Sequence, residues 1–256
     1  MNPSQQPFSM PMFRAFVPKR MRPWIYVLQA YCFQLSGCVY LGALQEMMGE
    51  RSLMREDLTM CLYSNLAGMA IYFPVLFRMK FRFTNRSLLI ASALVLALCN
   101  WLFTHTTFLP LMWVLCFVAG MAKIQGTFEN MSNIQLWLTP TRDMGVFFPC
   151  LHVVLLVSIE LQAWYAAFFA HHLHWVASHW FVIGLMMLVV AIQLLLTRPW
   201  CPMPERMPLR GIDWLGAAFW SLLGLQLAYI FNYGDWLDWW HSPTIRILTG
   251  TSLITL

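Results

Sequence analysis

Long apolar segments follow one another along nearly the whole chain, and they constrain its fold more than any other feature. A helix needs roughly 20 mostly apolar residues to cross a bilayer. The chain is 59% hydrophobic and only 11% charged, whereas soluble domains carry about 25% charged residues. We therefore predict an all-α polytopic membrane helix bundle. The predicted spans are residues 24–44, 58–77, 87–104, 108–128, 144–170, 180–197 and 213–231, with an eighth starting near Pro243.

Basic residues concentrate in alternate connections between these spans. The N-terminal segment and the second and sixth loops are basic, whereas the first loop is net negative and the third has no Lys or Arg. The positive-inside rule then predicts a multi-pass protein with a cytosolic N-terminus. The basic second loop consists of Arg78, Lys80, Arg82 and Arg86.

These boundaries predict four regions in the chain. Residues 1–23 form a cytosolic N-terminal segment and residues 24–197 a six-helix transmembrane bundle. Residues 198–212 form a cytosolic loop, and residues 213–256 a seventh helix with the start of an eighth. The seven cysteines include no Cys-x-x-Cys pair, so we expect neither a disulfide framework nor a structural zinc site. No cofactor or metal is predicted.

The C-terminal stretch from residue 209 carries the most specific pattern. A Pro-rich loop leads to an Asp-Trp-x-Gly helix start at Asp213, an apolar span follows, and the motif Asn-x-Gly-Asp-x-x-Asp-Trp-Trp-x-Ser-Pro-x-Ile begins at Asn232. This order resembles the seventh helix, and the start of the eighth, in the 14-helix drug:proton antiporters of the major facilitator superfamily (the EmrB/QacA type).

The rest of the chain resembles this family unevenly. In the fourth span, Ala-Lys-Ile-Gln-Gly from Ala122 is similar to the family's Arg-x-x-Gln-Gly, with the cation moved by one position. In the first span, Ser36 stands where the family has a membrane-embedded Asp. The second loop keeps its basic character but lacks the family's acid and glycines, and the fifth span has no Gly-x-x-x-Gly-Pro motif.

The resemblance implies the N-terminal six-helix half of such a transporter, built from two three-helix inverted repeats, plus one to two further helices. It implies proton-coupled efflux of small amphipathic or lipophilic compounds across a cell inner (cytoplasmic) membrane by alternating access, and no enzymatic activity. The expected partners are the substrate, protons and lipid. A second transporter half, self-association or a periplasmic adaptor could complete the assembly. We expect the chain to be a truncated product or part of a longer protein.

Ionisable residues inside spans are costly and are functional candidates by default. The candidates are Lys123 on span four, and His152 and Glu160 on span five. With the predicted boundaries, Lys123 lies about 8–10 Å from the cytosolic end, level with His152, and Glu160 lies about 12 Å deeper. In one interpretation Glu160 binds the proton and Lys123 or His152 modulates it. In the other, these residues make static polar contacts, or Glu160 faces a water-filled vestibule. Glu129, near the predicted interface, is expected to be structural.

Polar residues on three spans are candidates for lining a substrate cavity, although hydrogen bonds that hold helices together explain them equally well. These are Gln29, Gln34, Ser36, Asn65 and Gln125. A further cluster, His171, His172, His174 and His179, is predicted to lie in an exposed external loop, where its spacing matches no firm metal motif.

Two other classes of function remain open. A membrane enzyme would need polar residues that converge at one membrane face, and the scattered histidines do not form such a set. A non-transporting subunit, or an incomplete fragment of a transporter, would tolerate the loss of the family's acid and glycines.

Overall fold

A computed structural model of the chain describes residues 12–37, 42–138, 144–201, 208 and 211–255. Within these ranges the regular secondary structure is helical, apart from an isolated antiparallel bridge between Phe13 and Thr197. The predicted all-α helix bundle is therefore confirmed. The helices are α1 (Arg22–Leu35), α2 (Leu44–Arg51), α3 (Arg55–Arg82), α4 (Asn85–His105), α5 (Leu109–Leu138), α6 (Met144–His172), α7 (Trp175–Leu196), α8 (Trp214–Tyr233) and α9 (Pro243–Thr255), with a 3-10 turn at Trp239–His241.

Six of these helices, α3 to α8, are long and apolar enough to cross a membrane. The chain is a multi-pass membrane protein. The first predicted span corresponds to α1 and the start of α2, between which residues 38–41 lie outside the described part of the chain. The predicted eighth span begins where α9 does, at Pro243.

Two helices run well past their predicted ends. The predictions ended the second and fourth spans at residues 77 and 128, whereas α3 continues to Arg82 and α5 to Leu138. Apolar composition set the predicted ends. In the structure, polar residues continue both helices because they find partners on the neighbouring helix. This difference changes the depth assigned to Lys80 and Lys123.

Side-chain caps set several helix starts. Thr84 accepts a hydrogen bond from the Ser87 backbone N–H before α4, and Asp213 accepts one from Gly216 before α8 at 2.8 Å. These bonds satisfy N–H groups that the first turn of a helix leaves without a partner. The predicted Asp-Trp-x-Gly helix start is thus the N-cap of α8.

The α5 helix lies at the centre of the bundle and packs on α1, α3 and α4. Its contact with α3 is the most extensive in the bundle and depends on two glycines. A Cβ on Gly68 would lie 2.0 Å from the Phe117 carbonyl oxygen, and a Cβ on Gly120 would lie 2.0 Å from that of Asn65. Only a residue without a side chain allows the two backbones to approach this closely.

The helix contacts repeat between the first three spans and the next three. Here α1 with α2 is the first span, and α3 to α7 are the second to sixth. Span one is matched with span four, span two with span five, and span three with span six. Under this correspondence the counterpart of the α1–α6 contact is the α5–α3 contact. The counterpart of the α1–α7 contact is the α5–α4 contact. The α1–α5 contact and the α4–α7 contact each join two matched spans, so each is its own counterpart.

The end of the N-terminal segment packs against the bundle. Met12, Phe13 and Val17 are buried. The Arg198 backbone N–H donates to the Met12 carbonyl at 2.7 Å. The part of the predicted cytosolic segment that begins at Met12 therefore lies on the ends of α1, α4 and α7.

Candidate functional site

The helices α1, α5 and α6 meet at Gly37, just beyond the end of α1. A Cβ on Gly37 would lie 2.3 Å from the Lys123 ammonium nitrogen and 2.7 Å from the Gln162 side-chain oxygen. The cation of α5 and the amide of α6 therefore lie against the same point of the α1 backbone. Gly37 provides the space in which both groups fit.

Lys123 lies deeper than its predicted position. Because α5 runs from Leu109 to Leu138, Lys123 is at the middle of the helix, about 21 Å along the axis from either end. The expectation that it would lie near the cytosolic end, level with His152, is wrong. Its neighbour on α6 is Gln162, which the sequence analysis did not single out. An amide in the middle of an apolar span was the signal that could have identified it.

Glu160 and His152 lie on the exposed face of α6. Glu160 is two residues from Gln162, or about 200° around a helix, so it faces away from Lys123. Leu156, Val157 and Trp164 flank it, three or four residues away on the same face. Glu160 is thus at the depth of Lys123, and the structure does not bring the two together.

A charged pair, Lys80 and Glu129, lies between α3 and α5, and the sequence did not predict that these two residues meet. The Lys80 ammonium is 3.9 Å from the Glu129 carboxylate. Both side chains are buried, Lys80 donates a hydrogen bond to the Ser132 hydroxyl, and Asn133 faces the carboxylate. Lys80 is therefore not a solvated loop residue as predicted. It belongs to the last turn of α3, because Glu129 compensates its charge.

The other predicted loop cations remain near the surface. Arg78 donates hydrogen bonds from its guanidinium to the backbone oxygens of Pro208 and Gly211, both at 3.1 Å. This ties the end of α3 to the connection before α8. Arg82 lies over the Phe83 ring, and Arg86 is partly exposed in the first turn of α4.

Three of the predicted cavity residues form hydrogen bonds between helices. Gln29 accepts from the Gln193 amide at 2.9 Å, Gln34 donates to the Thr127 hydroxyl at 3.4 Å, and Asn65 donates to the Cys116 carbonyl at 3.0 Å. These contacts join α1 to α7, α1 to α5, and α3 to α5. Gln29, Gln34 and Asn65 thus act as the interhelical contacts that the alternative interpretation described.

Gln125 differs from these three residues. Its side chain is 3% exposed, and among the described residues neither its amide nitrogen nor its side-chain carbonyl oxygen has a hydrogen-bond partner. It lines a cavity of about 220 Å³ between α3, α4 and α5, together with Tyr72 and Ser92.

Ser36 lines a small polar cavity inside the bundle. Asn65, Asn100 and His179 line it too, and its volume is about 20 Å³. A space of about 10–15 Å³ on this measure holds one water molecule. His179 hydrogen-bonds Asn100 at 2.9 Å and stacks on Phe103. Its placement in an exposed loop was wrong, because His174 caps α7 and the helix already begins at Trp175.

Arg51 closes the end of α4 that faces away from the N-terminal segment. Its guanidinium donates to the carbonyl oxygens of Phe103, Thr104 and Thr106, and it lies 4.5 Å from the centroid of the Trp175 ring. Burial lowers the pKa of Arg51 from its ordinary value, and the neighbouring Glu50 opposes this effect. Glu50 in turn accepts hydrogen bonds from the Trp175 and His174 rings at 2.5 and 2.8 Å.

The candidate metal ligands form no centre in the described part of the chain. No group of three or more His, Cys, Asp or Glu side chains there is arranged to hold a metal ion. The only histidine of the predicted loop cluster that pairs with a carboxylate is His174, within the ranges described.

No protein-family model matches the chain, and no curated protein matches it in sequence. Its function has to be inferred from the placement of these side chains.

Proposed function

We propose that the chain is the first bundle of a membrane transporter that exports small amphipathic or lipophilic compounds in exchange for protons. The observation that carries this proposal is the repeated packing of spans one to three and four to six. Secondary transporters are commonly built from such repeats, and their substrate and ion sites lie near the midplane where the repeats meet. The resemblance to the 14-helix drug:proton antiporters favours the same function.

The position of Lys123 and Gln162 supports a site at this midplane. They lie against Gly37, where α1, the first helix of one repeat, meets α5, the first helix of the other. A cation and an amide at the centre of a bundle are costly unless they serve a partner or a ligand. In this proposal they hold the polar part of a substrate, or orient the helices around it.

Glu160 is the proposed proton-binding acid. It lies near the middle of α6 on an otherwise apolar face, and no basic side chain pairs with it among the described residues. A carboxylate at this depth needs water, a cation or a proton. Uptake or release of a proton at Glu160 would therefore change the free energy of placing this face of α6 in apolar surroundings. Alternating access requires a change of this kind, because it shifts the equilibrium between two conformations.

A second bundle is part of the proposal. The polar cavity enclosed in the described part of the bundle holds only about one water molecule. A cavity of drug size would form where this bundle meets another, either a second transporter half or a second copy of the chain. The basic connections favour a cytosolic N-terminus in an inner membrane, and a periplasmic adaptor remains a further proposed partner.

The test is dye efflux from cells that express the full chain, with and without a proton uncoupler. Because a second copy of the chain can supply the second bundle, we expect uncoupler-sensitive efflux for the wild type and its loss in Glu160→Gln. Glu46→Gln is the matched control, because Glu46 is exposed on α2 outside the long helices. If Glu160→Gln exports dye as well as the wild type does, Glu160 is not the proton site. Absence of efflux from a well-expressed, inserted wild-type chain would contradict transport by this chain.

One observation favours a second candidate function, that of a non-transporting membrane subunit. The charges of Lys80 and Glu129 compensate each other inside the bundle, and Gln29, Gln34 and Asn65 are used in contacts between helices. A bundle whose interior polar groups are engaged in contacts between its own helices suits a static subunit. Isolation of a stable complex from cells that show no efflux would favour it over the transporter.

A further inference from the structure

The segment that precedes α1 presents basic and large apolar side chains together on the surface of the bundle. Lys19 and Arg20 are exposed, and Phe16, Met21 and Trp24 are 66%, 56% and 66% exposed. Basic residues interleaved with exposed aromatic and apolar residues are typical of segments that lie at a membrane–water interface. The composition of this surface therefore suits a lipid better than it suits water alone.

Buried anchors fix the described part of this segment on the bundle. Phe13 and Val17 are buried, and the Phe13 ring packs edge-on against Tyr26 of α1 with ring centroids 5.3 Å apart. The Arg22 guanidinium donates a hydrogen bond to the Val17 carbonyl oxygen at 3.2 Å and lies over the Phe13 ring. The exposed side chains between these anchors are thus held in place by the folded bundle.

A tight turn presents the two exposed cations. The Met21 backbone N–H donates to the Pro18 carbonyl oxygen at 3.0 Å, so Lys19 and Arg20 occupy the two central positions of a four-residue turn. Neither cation forms an ion pair with any of the described residues. Two neighbouring positive charges repel each other, and an anion bound beside them would relieve this repulsion.

Cations from two other connections lie beside this segment. The Asn85 amide at the start of α4 donates to the Met12 sulfur at 3.2 Å, and the Arg198 backbone N–H after α7 donates to the Met12 carbonyl oxygen. Arg198 is exposed, and Arg86, the residue after Asn85, is partly exposed. The resulting basic surface comprises Arg14, Lys19, Arg20, Arg22, Arg86 and Arg198.

The basic surface has no acidic residues in the chain segments that form it. The sequence contains no Asp or Glu in residues 1–45, 58–128 and 161–204, and these three ranges include all six cations. Charges of one sign that are not neutralised by neighbours attract a ligand of the opposite sign. Charge complementarity therefore points to an anionic partner.

The basic surface lies at the ends of helices that can cross a membrane. The α4 helix begins at Asn85 and α7 ends at Leu196, and both helices are long and apolar enough to span a bilayer. The ends of such helices lie at the level of the lipid head groups. Long basic side chains there reach lipid phosphates, whereas aromatic rings such as those of Phe16 and Trp24 pack on the upper part of the acyl chains.

We propose that the basic surface binds an anionic phospholipid, with the phosphate beside Lys19 and Arg20 and the acyl chains along Phe16 and Trp24. Basic patches next to the ends of membrane-spanning helices recognise anionic head groups in this way. A soluble anion would use the cations alone and would leave the apolar side chains in water. The site is distant from the Lys123 junction and does not rest on the proposed transport.

The test is native mass spectrometry of the purified full chain in micelles, titrated with dioleoyl phosphatidylglycerol or with dioleoyl phosphatidylcholine. The dissociation constant of the first bound lipid is measured for each. We expect the anionic lipid to bind more tightly to the wild type. Lys19→Gln/Arg20→Gln should weaken its first binding step at least roughly tenfold, because each Lys or Arg near an anionic lipid surface contributes about fivefold.

A matched control removes the same charge from the opposite face of the bundle. Arg55 and Arg246 are exposed near the starts of α3 and α9, and Arg55→Gln/Arg246→Gln should leave the first binding step unchanged. Lys19→Arg, which keeps the charge, should also bind as the wild type does. Because Lys19 and Arg20 are exposed, their substitution leaves the packing of the segment intact, and circular dichroism checks this.

Two further measurements distinguish a lipid from a soluble anion. Phe16→Ser/Trp24→Ser keeps all six cations and should weaken binding of phosphatidylglycerol by roughly tenfold, through the loss of apolar contact. Glycerol phosphate, which carries the charged group without acyl chains, should not compete at equal concentration. Full competition by glycerol phosphate would identify a soluble anion as the ligand and would overturn the proposal.

Three other results would also overturn it. These are equal affinity for the anionic and the zwitterionic lipid, wild-type affinity in Lys19→Gln/Arg20→Gln, and an equal loss of affinity in Arg55→Gln/Arg246→Gln. The assay needs no proton gradient and no second bundle, so its outcome is separate from that of the efflux experiment.

Discussion

The inner face of α5 and the outer face of α6 place acidic residues in opposite surroundings. Glu129 on α5 is buried, 3.9 Å from the Lys80 ammonium, with Asn133 beside it. Glu160 on α6 is exposed between apolar side chains, with no basic partner among the described residues. Both are glutamates on membrane-spanning helices, and the sequence distinguished them only by their predicted depth.

The difference separates an acid with a basic partner from one without such a partner among the described residues. Removing either member of a buried ion pair leaves the charge of the other uncompensated. A proton-binding role for Glu160 would break no ion pair among the described residues. We therefore assign Glu129 to the structure of the bundle and propose Glu160 for function.

Glu129→Ala should have the largest effect on stability. The buried Lys80 ammonium would lose its partner, and the breaking of a buried ion pair typically costs about 3–5 kcal/mol. Unfolding in increasing denaturant, followed by circular dichroism in mixed micelles, measures the loss. The double variant Lys80→Met/Glu129→Leu is the control, because it removes both charges and should recover most of that stability. If Glu129→Ala is as stable as the wild type, the pair does not hold α3 to α5.

Gly120→Ala should have an intermediate effect. The added Cβ would lie 2.0 Å from the Asn65 carbonyl oxygen, so α3 and α5 would have to separate, at a cost of about 1–3 kcal/mol. The same unfolding assay applies. Gly184→Ala is the matched control in α7, where a Cβ meets nothing within 4 Å; it should be neutral or stabilise the helix. Equal effects of the two substitutions would show that the close approach of α3 and α5 is not required.

Glu160→Gln should change the free energy of unfolding least, within about 0.5 kcal/mol, as expected for an exposed side chain. Carbodiimide labelling sharpens the contrast, because the reagent adds to protonated carboxyl groups that it can reach from an apolar phase. Peptide mass spectrometry should find the adduct on Glu160 and not on Glu129. Labelling of Glu129 alone would reverse the assignment of the two acids.

The apolar spans were predictable because hydrophobic length is a property of the sequence itself. The all-α bundle, the cap at Asp213 and the start of α9 at Pro243 follow from local composition and turn chemistry. Each depends on residues within a few positions of one another. Partners from other helices are not needed to recognise them.

The depth of Lys123 and the burial of Lys80 were not predictable in this way. A polar residue normally marks the end of an apolar span, and the predicted ends followed that rule. In the structure α3 and α5 continue because Lys80 and Glu129, which are distant in sequence, meet and compensate each other. A partner that is distant in sequence also accounts for His179. It lies inside α7, where its ring hydrogen-bonds the side chain of Asn100 on α4.

The sequence by itself determined that this chain spans a membrane as a helix bundle, because apolar length and charge alternation act locally. The tertiary structure decided which polar groups are paired. It turned Glu160 away from Lys123 and brought Gln162 to Gly37. Those outcomes depend on how helices rotate and pack against one another. Rotation about a helix axis changes a side chain's surroundings completely while leaving its hydrophobic span unchanged.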